Sequence, residues 1–254
     1  MSRPYHREAL PVRIMKITVK AICMIVIFGT IIFFLWRAFI STIIPDEVDG
    51  LAPNAPLQAA WLDAKERGEA LQYFTQMQDE TTTAEHNYSY FTAREVAFIE
   101  DANQIQLLFR YNNSTIRHLV QDYNLPEVPD RTAELYDVTL YVAYDLTPDD
   151  VTDNAGNDPE SVRFERYYPT ETRAASTLMY NYRRITFDGI DMNPAENPVL
   201  AVYVDIYYVG DVDYGKDSYG TLCIYDYATI KDYYDLDKDE VKALEGYKAT
   251  EGAD

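Results

Sequence analysis

Hydrophobic positions follow three rhythms along this chain. The first is continuous. Residues 21–36 (AICMIVIFGTIIFFLW) carry no charge, and apolar stretches at 17–19 and 38–44 extend them past Lys20 and Arg37. A helix rising about 1.5 Å per residue needs about 20 mostly apolar residues to cross about 30 Å of hydrocarbon. Residues 17–44 therefore predict a transmembrane signal-anchor helix. Lys20 and Arg37 stand near its ends, where long side chains reach the headgroups, and Trp36 suits the interface. A cleaved signal peptide would need a small-x-small site after Trp36, but Phe39 and Ile40 interrupt that pattern. Cys23 lacks a lipobox, because Lys20 and Ile22 precede it.

The second rhythm is helical. Residues 45–56 (PDEVDGLAPNAP) hold three prolines, one glycine and three acids, which predicts a semi-extended spacer. Over 57–78, Leu57, Trp61, Ala64, Leu71 and Phe74 recur at steps of three and four, on a stripe that predicts an amphipathic helix docked on the domain C-terminal to it. Gly68 interrupts it at a cost of about 1 kcal/mol relative to alanine.

The third rhythm has period two. Ile105, Leu107, Phe109 and Tyr111 alternate with Gln104, Gln106, Leu108 and Arg110. Val138, Leu140, Val142, Tyr144 and Leu146 repeat the pattern, as do Leu200, Val202, Val204, Ile206 and Tyr208. Such alternation predicts strands with one buried and one wet face. Weaker signals cover 95–99, 162–168, 178–187 and 221–227, which makes about seven strands. Ser114 caps a predicted short helix over 115–123, and Asp237 with Glu240 forms a capping box before another at 238–246. Strands without regular intervening helices argue against a parallel sheet and for two antiparallel sheets face to face. The expected fold is mainly β: an immunoglobulin-like antiparallel β-sandwich behind a transmembrane helix and a linker helix. The Cys…Trp…Cys signature is missing, so the likeness is one of architecture. The expected plan is a basic cytoplasmic N-terminus (1–16), the membrane helix (17–44), an acidic linker with its helix (45–89), the sandwich (90–234) and a short C-terminal helix with an acidic tail (235–254).

Charge orients this plan. The 254 residues carry a net charge of −20. The first 40 hold six basic residues and one acid, whereas the remainder holds 16 basic and 41 acidic residues. Excess basic charge stays cytoplasmic, so the N-terminus is expected inside the cell membrane and the acidic domain outside. An acidic domain excludes nucleic acid as a partner, since phosphate binding needs a basic surface. Cys23 and Cys223 fall on either side of the membrane boundary and cannot pair within one chain. An exported domain without a disulfide fits a bacterial cell surface. The sequons at Asn87, Asn112 and Asn113 are read as incidental.

Candidate chemistry is sparse. His6, His86 and His118 are the only histidines, and His118 is expected to face solvent. No nucleophile elbow, zinc-protease, phosphate-loop or paired-cysteine motif occurs. Thr221, Leu222 and Cys223 resemble the TLxTC strand of sortases in their first two residues. The cysteine then arrives two positions early, and no arginine follows it, because Arg184 is the last in the chain. Sortase chemistry is therefore not expected. Asp211, Asp213 and Asp217, around Gly215, offer hard oxygens at a calcium-like spacing, but an acidic hairpin turn is the favoured reading, since Asp and Gly are turn formers anyway. A second acidic turn, Asp149, Asp150, Asp153, Asn154, Asn157 and Asp158, has the same two readings.

Tyrosine is the compositional outlier: 16 of the 23 lie between Tyr136 and Tyr234. Strand propensity accounts for many, but Tyr203, Tyr207 and Tyr141 are candidates for an outward binding face. The expected function is a non-enzymatic binding or scaffold module tethered to the membrane, whose partner is a basic-faced, membrane-proximal protein. A cell-wall or carbohydrate-binding module using outward tyrosines is the alternative, and an enzyme of unrecognised type is the third reading.

Overall fold

The computed structural model describes residues 10–76, 91–112, 136–145, 162–177, 179–192, 199–208, 220–226 and 231–248. The predicted helix at 115–123 and both acidic turns lie outside them. The chain forms two units, Met1–Ile44 and Pro45–Asp254.

Among the described residues, the first unit holds one helix, α1 (Leu10–Thr42). Its stretch Pro11–Phe39 is long and apolar enough to cross a membrane, and none of it is buried within the protein. Thr18 and Thr30 donate their hydroxyls to the carbonyls of Ile14 (3.0 Å) and Val26 (2.8 Å). In hydrocarbon, where water cannot satisfy a hydroxyl, this back-bonding is the available local partner.

The second unit is mainly β. Among the described residues, ten strands follow α2 (Ala55–Arg67): β1 (Gln72–Gln76), β2 (Phe91–Ile99), β3 (Gln104–Asn112), β4 (Tyr136–Asp145), β5 (Val162–Tyr167), β6 (Glu171–Ser176), β7 (Tyr180–Asp188), β8 (Val199–Tyr208), β9 (Gly220–Asp226) and β10 (Tyr233–Asp235). Helix α3 (Lys238–Gly246) closes the order. One sheet runs β10-β1-β2-β3-β7-β6 and the other β5-β4-β8-β9, with every pairing antiparallel. The chain changes sheet between β5 and β6 at Tyr168, Pro169 and Thr170. Pro169 suits this corner because it cannot donate to a ladder.

The alternating apolar residues do what their period predicts. Ile105, Leu107 and Phe109 from one sheet and Val138, Leu140, Val142, Val202, Val204 and Ile206 from the other share a single core. Aromatic rings join the sheets at one end of it. Phe91 stacks on Phe109 with centroids 5.5 Å apart, and Tyr136 meets Phe91 (4.7 Å) and Tyr111 (4.8 Å) edge to face. Arg183 Nη1 donates to the Tyr136 carbonyl across the same gap.

Two sequence expectations change here. The helix predicted over 57–78 stops at Arg67, because Gly68 takes a left-handed conformation (φ 76°) and its N–H caps Ala64 and Lys65. Beyond this stop, Leu71 and Phe74 belong to an extended segment instead of a helical stripe. Phe74 enters the main core, stacked on Phe98 at 4.6 Å, while Leu71 joins Leu57, Ala60 and Ala64 in a second cluster against Ala97 and Ile99. The expected docking thus holds for the 13-residue helix Ala55–Arg67, which buries Leu57, Ala60 and Ala64. A Cβ at Gly68 meets no atom within 4 Å, so Gly68→Ala strains only the backbone. The expected loss is about 1 kcal/mol in urea unfolding.

The second change concerns residues 45–56, which fold onto the sheet and form no spacer. Val48, Leu51 and Ala52 are buried. Ala52 N–H donates to Gln106 Oε1 (2.7 Å), and Gln106 Nε2 donates back to the Ala52 carbonyl (2.9 Å). Gln104 Nε2 donates to Asn54 Oδ1 (3.0 Å) and Asp188 Oδ1 (2.6 Å). Arg184, fully enclosed, donates to the Val48 carbonyl (3.2 Å) and pairs with Glu95 (3.3 Å). The supposedly wet face of β3 is therefore buried, and its glutamines replace water as partners for the backbone laid over them.

Helix α3 completes this clasp. Asp237 Oδ1 accepts from the Glu240 N–H, and Glu240 Oε2 accepts from the Asp237 N–H (2.9 Å), which is the predicted capping box. The other Glu240 oxygen accepts from Leu51 N–H (3.1 Å). Burial raises the Glu240 pKa, and the Asp237 and Glu95 charges add to the rise, while the backbone donors oppose it. A carboxyl raised in the folded state binds its proton more tightly there than when unfolded. Its contribution to stability is then full below the ordinary value of 4.5 and is lost as pH rises through the folded pKa. The stability difference between native protein and Glu240→Gln should shift against the native protein over that window, as read by melting temperatures across pH.

Candidate functional site

The outer face of the four-stranded sheet carries the predicted tyrosines. Register aligns Arg166 on β5, Tyr141 on β4, Tyr203 on β8 and Cys223 on β9 into one row across all four strands. The Arg166 guanidinium lies 4.3 Å from the Tyr141 ring centroid, over its face. Such stacking is worth roughly 0.5–1 kcal/mol at a partly exposed site. Tyr141 and Tyr203 are half-buried, and Cys223 is exposed. Neither Cys223 nor Cys23 forms a disulfide, and the Cys223 thiol donates to the Tyr225 carbonyl (3.3 Å).

Tyr207 stands apart from this row. It is 3% exposed, and its hydroxyl donates to Asp205 Oδ2 (3.4 Å). Burial raises its pKa first, and the Asp205 charge adds to the rise. Asp205 also accepts from the Thr221 hydroxyl. Alternation places Tyr207 on the same face as Tyr203, but only the folded structure shows that this end of the face is closed. The row offers aromatic faces and a guanidinium. It can hold a planar or anionic group by stacking and charge, and it contains no acid–base pair.

An open cleft of about 490 Å³ lies elsewhere, lined by Glu69, Ala70, Gln72, Glu100, Asp101 and Tyr233. Its carboxylates are already engaged. Glu100 holds Lys231 (2.8 Å) and Tyr233 (3.0 Å), and Arg67 holds Glu69 (2.9 Å) and Asp101 (3.3 Å). Burial, then the hydrogen bond to Glu100, keeps the Tyr233 hydroxyl protonated above its ordinary range.

Among the described residues, no three or more His, Cys, Asp or Glu side chains gather as a metal site. The calcium candidates Asp211, Asp213 and Asp217 lie outside the described residues, as do His86 and His118. Sequence reasoning missed the polar clasp of Asn54, Gln104, Gln106 and Arg184. Its one available signal was two glutamines at alternate positions of a strand whose other neighbours are apolar. Compared with known proteins, the chain matches no protein family, no curated protein and no solved structure.

Proposed function

We propose that this protein is a membrane-anchored binding or scaffold module whose β domain lies outside the cell membrane and works without catalysis. The observation that carries this reading is the pairing of one unburied apolar helix with a β domain of opposite charge balance. Helix α1 is flanked by basic residues before it, and the 16 basic and 41 acidic residues after position 40 all belong to the second unit. Basic flanks favour the cytoplasmic side. A domain tethered to a membrane samples partners near it at raised effective concentration. The acidic surface favours a basic-faced partner and an association that weakens with salt.

Protease added to intact cells tests the topology. Loss of the β domain with retention of α1 is the expected result, and full protection of the domain refutes it. Pull-down from solubilised membranes at low and high salt tests the partner class.

The half-buried Tyr141 and Tyr203, with Arg166 stacked beside them, favour a second reading as a wall- or carbohydrate-binding face. Salt-insensitive retention on glycan, abolished by Tyr203→Ala, distinguishes it from the first.

A further inference from the structure

Strand β5 is an edge of the four-stranded sheet: it pairs with β4 on one side, and no described strand pairs with the other. Edges of this kind are templates for a further strand, and proteins commonly blunt them with charged side chains, proline or a bulge. The β5 sequence, VRFERY, has no proline and its ladder with β4 has no register shift, but Arg163, Glu165 and Arg166 are charged, so a strand added here must answer those charges. Phe164 projects from it 62% exposed. Arg163 and Glu165 lie on the opposite face, joined at 3.2 Å and each about two-fifths exposed.

We propose that two copies of this chain join edge to edge through antiparallel β5–β5 pairing, in the register that sets Phe164 against its own counterpart. Charge selects both the occupant and the register. A two-fold axis perpendicular to the sheet keeps the inner and outer faces continuous, so only pairings between residues of the same face are allowed. Four such registers centre on an interior residue of the strand. Centring on Arg163 or Arg166 puts that arginine against itself, and centring on Glu165 does the same for the glutamate. Like charges directly opposite are destabilising. Centring on Phe164 instead places Arg163 opposite Glu165 twice, on one face, and stacks the two Phe164 rings on the other. The strand is complementary to a second copy of itself in that register alone. The result is an eight-stranded sheet continuous across two protomers. The inference stands whether or not the functional reading above is right, because β5 belongs to the β unit on either side of a membrane.

Sedimentation of the full chain in detergent tests it. The native chain is expected to form a reversible dimer. Arg163→Glu and Glu165→Arg each put like charges at both cross-strand positions and should each weaken self-association roughly tenfold. Mixed in equal amounts, the two variants should recover native affinity as a heterodimer, since every Arg–Glu pair is then restored. The double variant R163E/E165R should also dimerise, which separates a lost register from a lost fold. Association through α1 would be unchanged by all of these variants. In a background with both cysteines changed to serine, Phe164→Cys should form a disulfide-linked dimer, because directly opposed residues lie within disulfide reach. Thr172→Cys on β6 should not. A monomeric native chain, a mixture no tighter than either variant alone, or equal cross-linking at 164 and 172 overturns the proposal.

Discussion

Phe91→Ala should destabilise the β domain by about 3–5 kcal/mol, the largest loss expected from a single truncation in this protein. Phe91 is fully buried at the junction of the two sheets. It stacks on Phe109 and meets Tyr111 (5.9 Å) and Tyr136 (4.7 Å), so removing its ring opens a space with aromatic walls on three sides. Those walls are themselves held: Tyr136 takes a hydrogen bond from Arg183 at its backbone, and Phe109 sits mid-strand between β2 and β7. They cannot collapse into the space without breaking a ladder, so the cavity term stays large. Urea unfolding of the β domain measures the loss. A cost under about 1 kcal/mol would mean that the sheets are not packed here as described.

Gln106→Leu is expected to cost about 3 kcal/mol by a different route. The substitution conserves bulk but removes both bonds to Ala52 and the donor to Gln104 Oε1 (2.7 Å). The Ala52 N–H and C=O then remain buried with no replacement, and each unsatisfied group costs roughly 1–3 kcal/mol. The structure relieves this by releasing the 45–54 segment. Two readouts report it: a lower urea midpoint, and new protease cleavage between α1 and α2. The contrast is Gln72→Ala. Gln72 Nε2 donates as well, in its case to the Asp235 carboxylate (Oδ1, 2.8 Å), but the pair is exposed. Water replaces what is lost there, and the expected change is within about 0.5 kcal/mol. If both glutamines cost the same, burial is not what gives the clasp its strength.

Much of this fold was legible in the order of residues. The uncharged run at 21–36 and the length of α1 agree: a helix satisfies its own backbone groups, and this one is long and apolar enough to cross hydrocarbon. Strands β3, β4 and β8 fall where apolar residues alternate, because a pleated chain sends successive side chains to opposite faces. The capping box at Asp237 and Glu240 was equally plain, since it needs only residues three apart. Strands β1, β6 and β10 were not visible. β1 has five residues, β10 three, and β6 (ETRAAS) has little strand propensity. Their pairing comes from β2, β7 and β1, partners distant in sequence or visible only once the sheet exists.

Local chemistry alone was enough for the long apolar helix, the two-faced strands, the antiparallel class of fold and the helix caps. Their causes act over a few residues: solvation of a backbone, the period of a side chain, the reach of one carboxylate. Tertiary structure alone decided which wet face was truly wet. Gln104 and Gln106 read as solvent-facing and are buried, Tyr207 reads as outward and is closed in, and residues 45–56 read as spacer and are folded. Alternation reports that a side chain points away from one core. It carries no information on whether a second layer, supplied by residues 54 to 189 positions away, lies over the other side.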